Sequence, residues 1–413
     1  MTTAPEAATV RLLTGDELPE AARLVGTTML GTADPAVAQS WAGMWDGRVT
    51  HGVVADDGRV VGVAQWFRSD VSVEGPPVPA ACVTAVAVAA DQRRRGHLRR
   101  LMAAELASIA EAEVPVALLV AAEWPIYGRY GYGPAIEACA YDLDAAAARF
   151  VAPPSGTIEL VDPVGLQPHL EAVHEARRNW TLGAVARESY VFERIAGVVE
   201  WPGFKDDLGQ RRGAIWRDDT GAVQGAVAYA VEEGWERNRP RGKATVHLLV
   251  GATPEAEREL WRHLCDLDWV TTVHAGGRGV EDPLPHLLAD ARAAAQVDRF
   301  DCIWARVLDV PRVLGARRSA APGRVVVDVH DDLGYAAGRW SLDLGPDGAD
   351  VSPTTDVAEV HLTASELGAV AFGGTSARRL QQAGGLAGSE PAAVARLDQL
   401  LRASPAPWAP TTF

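Results

Sequence analysis

Residues 83–98 constrain the fold more than any other part of this sequence. They run from an apolar stretch through a turn with three arginines and a glycine into an amphipathic segment that starts at His97. The apolar stretch is typical of a buried strand, and the apolar spacing over residues 98–109 predicts a helix. Gly96 would let the backbone approach a ligand closely, and the first amides of the helix would point at that ligand. With the arginines at 93–95, this turn is predicted to bind phosphate groups.

The chain as a whole alternates strands and helices in its first two thirds. An Asp-Gly turn at residues 57–58 predicts a hairpin, and residues 114–120 are nearly all apolar, as in a buried parallel strand. A strand at 244–250 before a helix at 254–268 repeats the succession, which suggests a duplicated α/β domain. Short strands and polar turns in the last third predict an α+β domain with an antiparallel sheet. The predicted domains are 1–143, 144–298 and 299–413.

Three local patterns make further predictions about where elements begin and end. Thr14 and Glu17 have the spacing of a capping box, which predicts that a helix opens there. The proline-rich residues 76–79 are predicted to break the chain before the strand at 83–88. The proline-containing tail, residues 404–413, cannot be a helix.

Composition narrows the possible partners. The 413 residues carry a formal net charge of −15, which disfavours nucleic acid because its phosphates would be repelled. The charge favours a cationic small-molecule amine or a basic peptide, although solubility alone explains it equally well. No run of about 18 apolar residues exists and residues 1–8 lack a signal-peptide pattern, so we expect no membrane span and a cytoplasmic protein. Four separated cysteines show no metal-ligand spacing, so no metal is predicted.

Two motifs together resemble those of a known family. The pattern Arg93-x-x-Gly96-x-Leu98 is similar to the acetyl-CoA signature of the GCN5-related N-acetyltransferases, with leucine in place of the small last residue. The run Ile-Tyr-Gly-Arg-Tyr-Gly-Tyr-Gly-Pro at 126–134 extends the likeness to the Eis (enhanced intracellular survival) group. The resemblance covers almost the whole chain, including its terminal phenylalanine. It implies two tandem acetyltransferase folds, a third domain similar to sterol carrier proteins, and assembly as a homohexamer.

The resemblance also implies an acetyl-CoA-dependent N-acetyltransferase and names its catalytic groups. Tyr127 would be the general acid that protonates the leaving thiolate, and the terminal carboxylate of Phe413 would take a proton from the acceptor amine. A free α-carboxyl has a pKa of about 3.5 and tyrosine one of about 10, so both start in the required form at neutral pH. The residues expected to hold acetyl-CoA are Val86, Ala87, Val88, Arg93, Arg94, Arg95, Gly96, His97 and Leu98.

The acceptor is less well defined by the sequence. Trp41 and Trp124 are candidates for the wall of the acceptor site, because aromatic faces attract ammonium groups. Thr84 and Ala85 are expected at the mouth of that site. Many family members have a bulky residue in place of Ala85 and a histidine near the position of Val120, so the acceptor is not carried over. Aminoglycoside-like compounds, polyamines and lysine side chains all remain open.

Two alternatives and one exclusion complete the interpretation. Glu123, four residues before Tyr127, competes with Phe413 as the base. The chain would instead be a binding protein if the first domain only sensed acyl-CoA and the third carried an apolar ligand. The second unit lacks an arginine-glycine turn, and Glu255 and Glu257 would place negative charge where a phosphate binds, so we expect it to be inactive.

Overall fold

The computed structural model describes residues 8–31, 33–200, 211–411 and 413. Residues 1–7, which the signal-peptide expectation concerns, lie outside the described residues. Within the described ranges, no helix is both long and apolar enough to cross a bilayer.

Strands and helices alternate in the first unit, as the sequence predicts. Its strands are β1 (Thr9–Leu12), β2 (Val49–Val54), β3 (Val60–Val71), β4 (Val78–Val88), β5 (Val116–Leu119) and β6 (Gly133–Asp144). Its helices are α1 (Leu18–Thr28), α2 (Pro35–Met44), α3 (His97–Glu111) and α4 (Trp124–Tyr127). The Asp-Gly pair lies between the antiparallel strands β2 and β3, with Gly58 at a φ of 86°, which confirms the hairpin.

The second unit repeats this succession. Its strands are β7 (Thr157–Val161), β8 (Arg211–Arg217), β9 (Val223–Glu232), β10 (Trp235–Glu236), β11 (Arg239–Pro240), β12 (Gly242–Gly251), β13 (Val270–Gly279) and β14 (Ala294–Val307). Its helices are α5 (Pro163–Arg178), α6 (Ser189–Ala196) and α7 (Pro254–Cys265). The predicted helix at 254–268 therefore ends three residues early.

The third unit is an α+β unit, as predicted. Its elements are α8 (Val310–Leu314), β15 (Gly323–His330), β16 (Gly338–Gly345), β17 (Gly348–Pro353), β18 (Val360–Thr363), α9 (Ala364–Val370), α10 (Ala377–Gln382) and α11 (Pro391–Leu401). Strands β15, β16 and β17 pair antiparallel, but β18 lies parallel to β15. The antiparallel prediction is wrong for β18, because the chain crosses from β17 to the far side of β15 before it re-enters the sheet.

Two local predictions also need correction. Thr14 and Glu17 make only part of a capping box, since the Thr14 amide donates to the Glu17 carboxylate at 2.9 Å while α1 itself begins at Leu18. Pro76 and Pro77 lie in the break between β3 and β4, as predicted, but β4 already begins at Val78 and includes Pro79, so the break ends five residues earlier than expected. Proline is tolerated there because it stands near the start of the strand, before pairing with β5 begins at Ala80.

One sheet runs through the described residues of the first two units. The order of its twelve strands is β1-β2-β3-β4-β5-β14-β6-β13-β12-β9-β8-β7. Strand β14, which ends the second unit, lies between β5 and β6 of the first unit. The two units therefore form one continuous sheet. It also runs across the predicted limit between residues 298 and 299. The domain limits therefore stay a prediction.

The third unit packs directly on the first. One buried cluster contains Val116 and Ile136 from the first unit together with Leu367 and Phe372 from the third. Burial of such side chains stabilises the contact between the units by about 1.5–3 kcal/mol for each large apolar residue. Because the third unit is packed on the first, the C-terminal tail that follows it starts from a fixed position beside the first unit.

Candidate active site

A gap between β4 and β5 forms the first part of the candidate site. The two strands pair in parallel only from Ala80 to Cys82. Beyond Cys82, among the described residues, no strand pairs with that side of β4. A bulge follows, where Ala85 adopts a φ of 53° and the register against β3 shifts. Part of the backbone of residues 86–88, expected to hold acetyl-CoA, therefore lies on an unpaired strand edge, while Ala87 pairs with Val63 of β3.

The basic turn lies at the end of this open edge. Arg93, Arg94 and Arg95 are all exposed, and helix α3 starts two residues after Arg95. Gly96 precedes the helix with a φ of 79°, and a Cβ atom there would meet the Arg99 guanidinium at 3.7 Å and no other described atom within 4 Å. No side chain in the described part of the chain caps α3, so its first amides are available to an anion.

His97 and Leu98 differ from the rest of the turn. The His97 side chain is buried, and its Nδ1 lies 2.6 Å from the Arg100 guanidinium. Burial, with the nearby charges of Arg100 and Arg95, lowers its pKa. Leu98 packs on the core beside α3. These two residues can therefore contact a ligand mainly through their backbone amides.

Tyr127 ends the short helix α4 and is 8% exposed. Burial, assisted by the charges of Glu123 and Tyr130, raises the pKa of Tyr127 to about 12. Its ring meets that of Tyr132 edge to face, with centroids 6.1 Å apart. The hydroxyl consequently keeps its proton at neutral pH, as a general acid requires.

The glycines near Tyr127 have a structural reason that the sequence did not reveal. Gly131 adopts a φ of 82°, and a Cβ atom at Gly133 would clash with the carbonyl oxygen of Ser365 in α9. The Ser365 hydroxyl donates to the Tyr132 carbonyl at 2.7 Å. The Gly/Tyr-rich motif is therefore also the contact between the first and third units.

A cavity of about 480 Å³ lies beside β4, with Thr84 and Ala85 of that strand in its lining. It includes three of the four predicted acceptor residues, Trp41, Thr84 and Ala85, together with Phe413. The structure does not bring Trp124 into it: Trp124 is 59% exposed and packs against Trp304, with ring centroids 4.9 Å apart. Tyr127 is also not among the described residues that line the cavity.

The chain terminus reaches this cavity through specific contacts. The Phe413 ring meets the Phe67 ring edge to face, with centroids 6.0 Å apart. Arg187 donates from Nε to the Thr411 hydroxyl at 2.9 Å and from its terminal nitrogen to the Pro410 carbonyl. The Thr411 hydroxyl in turn donates to the Val185 carbonyl at 3.3 Å. These bonds hold the tail beside the predicted acceptor residues.

Several cavity residues were missed from the sequence. Arg48 pairs with Glu188 at 2.5 Å, and its guanidinium carbon lies 4.4 Å from the centroid of the Phe67 ring. Tyr190 accepts a hydrogen bond from Arg48 at 3.1 Å. Residues 48 and 188 are 140 positions apart, and neither stands in a motif. No signal in a single sequence could have placed them together.

Comparison with known proteins agrees with this architecture. Models of the acetyltransferase (GNAT) domain match residues 9–135 and 183–307, and a sterol carrier protein domain model matches residues 310–410. An uncharacterized N-acetyltransferase of Streptomyces avermitilis is 39% identical over 87% of this chain and 87% of its own length. N-acetyltransferase Eis of Mycobacterium tuberculosis is 32% identical, over 93% of this chain and 94% of its own.

Solved structures extend the likeness. Eis1 from Mycobacterium abscessus superposes with a TM-score of 0.85 at 31% identity, covering 98% of this chain and 100% of that protein. A probable N-acyltransferase from Enterococcus faecalis V583 has a TM-score of 0.82 at 19% identity. The second likeness concerns the fold alone.

Proposed function

The chain belongs to the Eis group of GCN5-related N-acetyltransferases, and we propose that it transfers the acetyl group of acetyl-CoA to a primary amine in a ternary complex. The observation that carries this proposal is the open edge of β4, which has the basic turn at its end and the Phe413 cavity beside it. Acetyl-CoA would supply an activated acyl group. The residues of the chain would bind acetyl-CoA, orient its thioester and deprotonate the acceptor amine.

The donor side of the proposal rests on the turn and the strand edge. The backbone groups of the segment 86–88 that face away from β3 would bind the pantetheine arm, because that edge has no other partner strand among the described residues. Arg93, Arg94 and the first amides of α3 would bind its phosphates. Within the described ranges no cluster of His, Cys, Asp or Glu has the arrangement of a metal site. The proposed donor site therefore consists of the strand edge, the basic turn and the first amides of α3.

The chemistry would use two groups of this chain, the Phe413 carboxylate and the Tyr127 hydroxyl. The Phe413 carboxylate takes a proton from the acceptor ammonium, directly or through water. The neutral amine nitrogen then forms a bond to the thioester carbonyl carbon, and the carbon–sulfur bond breaks. Tyr127 gives its proton to the departing thiolate. The acetylated nitrogen then loses its extra proton, which restores the Tyr127 hydroxyl directly or through water, so atoms and charge balance. Glu123 remains the competing base.

The first test of this proposal is CoA release from acetyl-CoA with a panel of amines. The panel comprises polyamines, aminoglycosides, basic peptides and simple monoamines. Amine-dependent CoA release supports the proposal. Binding of acetyl-CoA without release for any amine would favour the sensor interpretation instead.

Arg93→Ala is expected to raise the KM for acetyl-CoA by about tenfold and to change kcat little, because charge-assisted bonds to phosphate would be lost. Initial rates with varied acetyl-CoA measure the effect. The matched control is Arg237→Ala, which removes an exposed arginine between β10 and β11, far from the turn. An unchanged KM in Arg93→Ala would remove the turn from the donor site.

The cavity lining bears on which amine is accepted. Glu188 is the one side-chain carboxylate among the described residues that line the cavity, and it is already paired with Arg48. Arg187 also lines the cavity; burial lowers its pKa to about 10, which still leaves it charged at neutral pH. A second ammonium group on the acceptor would meet these positive charges with little to offset them. Within the cationic amines that the sequence predicts, the lining favours those with a single ammonium group.

Phenethylamine is therefore expected to have a kcat/KM about tenfold above that of spermidine at low salt, where charge repulsion is least screened. Steady-state rates at two salt concentrations measure this difference, which should narrow at high salt. Preference for spermidine at both concentrations would contradict the inference and return the acceptor to the polyamines.

Two properties implied by the family complete the proposal. We expect a homohexamer, which light scattering coupled to size exclusion would measure, and a cytoplasmic location. A monomer in solution at working concentration would contradict the first expectation. Neither property is needed for the chemistry above.

A further inference from the structure

The second unit contains the same strand divergence as the first. Strands β12 and β13 pair in parallel until Val246 meets Ala275. Beyond Val246, among the described residues, no strand pairs with that side of β12, and α7 begins at Pro254 just after the strand ends. The gap between the ends of β12 and β13, with the start of α7, is called here the second cleft. It corresponds in topology to the gap between β4 and β5.

The second cleft is filled by side chains of its own unit. Arg278, 3% exposed, donates to the Leu249 carbonyl of β12 at 2.8 Å, a group that lies on the open strand edge. Its guanidinium also pairs with Asp282 at 2.7 Å and with Glu257 at 3.2 Å. The strand edge and the first turn of α7 are therefore already engaged, unlike their counterparts in the first unit.

This arrangement corrects one expectation about the second unit. Glu257 does not present its charge to an incoming phosphate, because it is 3% exposed and pairs with both Arg278 and Arg177. Glu255 is exposed and pairs with Arg258 at 3.1 Å. The second cleft is thus occupied by side chains of its own unit, while Glu255 alone keeps an exposed carboxylate near the start of α7.

Trp408 of the C-terminal tail completes the filling. It is 6% exposed, and its indole Nε1 donates to the Gly277 carbonyl of β13 at 2.8 Å. Its ring centroid lies 4.7 Å from the guanidinium carbon of Arg278 and 5.3 Å from that of Arg177. Cation–π contacts of this kind are favourable when they are desolvated. The tail is therefore bound to the second cleft through one aromatic anchor.

The distance along the chain from this anchor to the terminus is short. Phe413 follows Trp408 by five positions, which can span at most about 18 Å. The amide of Trp408 donates to the Leu182 carbonyl at 2.9 Å, and Arg187 binds Pro410 and Thr411 further on. Fixing Trp408 thus restricts where the terminal carboxylate can lie, whereas a tail without anchors would lose the full entropy of ordering.

We propose that the second cleft is a binding site for the chain's own C-terminal tail, and that Trp408 is a positioning residue that sets the location of the Phe413 carboxylate. The degenerate acetyltransferase unit is thereby part of the catalytic apparatus of the active one. This inference rests on the proposed function, because the carboxylate matters only if it is the base.

The test compares Trp408→Ala and Trp408→Phe with the full-length enzyme. Hydrogen exchange of the peptide that covers residues 406–413 reports how firmly the tail is held, independently of activity. Trp408→Ala is expected to speed this exchange and to lower kcat by at least about tenfold, with the KM for acetyl-CoA unchanged. Trp408→Phe keeps an aromatic ring and should recover part of both losses. Trp269→Ala is the matched control, since Trp269 is 64% exposed and packs on Trp235 away from the tail.

The outcomes separate this proposal from the proposed function. Unchanged exchange in Trp408→Ala would overturn the anchor. Faster exchange with unchanged kcat would overturn the positioning role, and a variant extended beyond Phe413 then shows whether the carboxylate is the base at all. If Trp408→Ala does not fold, the same measurements on Trp408→Phe decide, because wild-type exchange and kcat in that variant would contradict a need for the indole hydrogen bond.

Discussion

Replacement of Tyr127 by phenylalanine is expected to lower kcat by about 100-fold or more, because general acid catalysis contributes on that scale. The substitution removes only the hydroxyl and retains the ring that packs near Tyr132. The KM for acetyl-CoA should remain within about twofold, since the turn and strand edge are untouched. Rates with a fixed amine and varied acetyl-CoA measure both constants.

Tyr132→Phe is the matched control for this prediction. Tyr132 is fully buried in the same cluster, and its hydroxyl lacks a hydrogen-bond partner within the described part of the chain. Loss of that hydroxyl should leave kcat near the wild-type value. Equal losses in the two variants would indicate a packing effect, and an unchanged kcat in Tyr127→Phe would remove Tyr127 from the mechanism.

The pH dependence offers a second check on Tyr127. The protonated tyrosine is the active form, and burial raises its pKa to about 12, so the acid stays competent as pH rises. Loss of kcat through ionisation of Tyr127 is therefore expected only near that value. A fall in kcat with a midpoint below about pH 10 that disappears in Tyr127→Phe would contradict the burial of this hydroxyl.

Extension of the chain by two glycines after Phe413 is the second change with a large expected effect. The added residues would move the terminal carboxylate by up to about 7 Å. Because displacement by about 1 Å can cost about 100-fold in rate, kcat should fall by at least that factor. Phe413 itself is retained, so its ring contact with Phe67 can persist. CoA release at saturating acetyl-CoA and amine measures the loss.

The control for the extension inserts the same two glycines between Pro346 and Asp347. This pair is exposed in the turn between β16 and β17, remote from the tail. That variant should keep wild-type turnover. If the extended chain keeps its turnover too, the carboxylate of Phe413 is not the base, and Glu123→Gln becomes the variant to examine.

Local features of the fold were predictable because they depend on neighbouring residues. The strand, turn and helix over residues 83–98 follow from apolar spacing and from a glycine where φ must be positive. The hairpin at 57–58 follows from its Asp-Gly pair. Predictions failed where distant parts of the chain decide. Strand β18 is parallel, and β14 enters the sheet of the first unit, because of packing that no local pattern encodes.

The candidate site divides in the same way. The motif residues at 93–98 and Tyr127 could be named from the sequence, since their spacing is local and matches a known family. The pair of Arg48 and Glu188, the tail contacts of Arg187 and the anchor at Trp408 could not, because each joins residues far apart in the chain. Trp124 shows the converse error, since an aromatic residue near a motif need not face the cavity.

The sequence by itself therefore determined the kind of fold and the family, and it predicted the phosphate-binding turn, because all three rest on short-range pattern and motif. Only the tertiary structure decided where the C-terminal residue lies in space, because a terminal carboxylate has no fixed position until the tail is bound. That position depends on a second unit whose own cleft is filled by Arg278 and Trp408. A buried guanidinium such as that of Arg278 needs favourable partners. Trp408, in the tail of the third unit, supplies one of them.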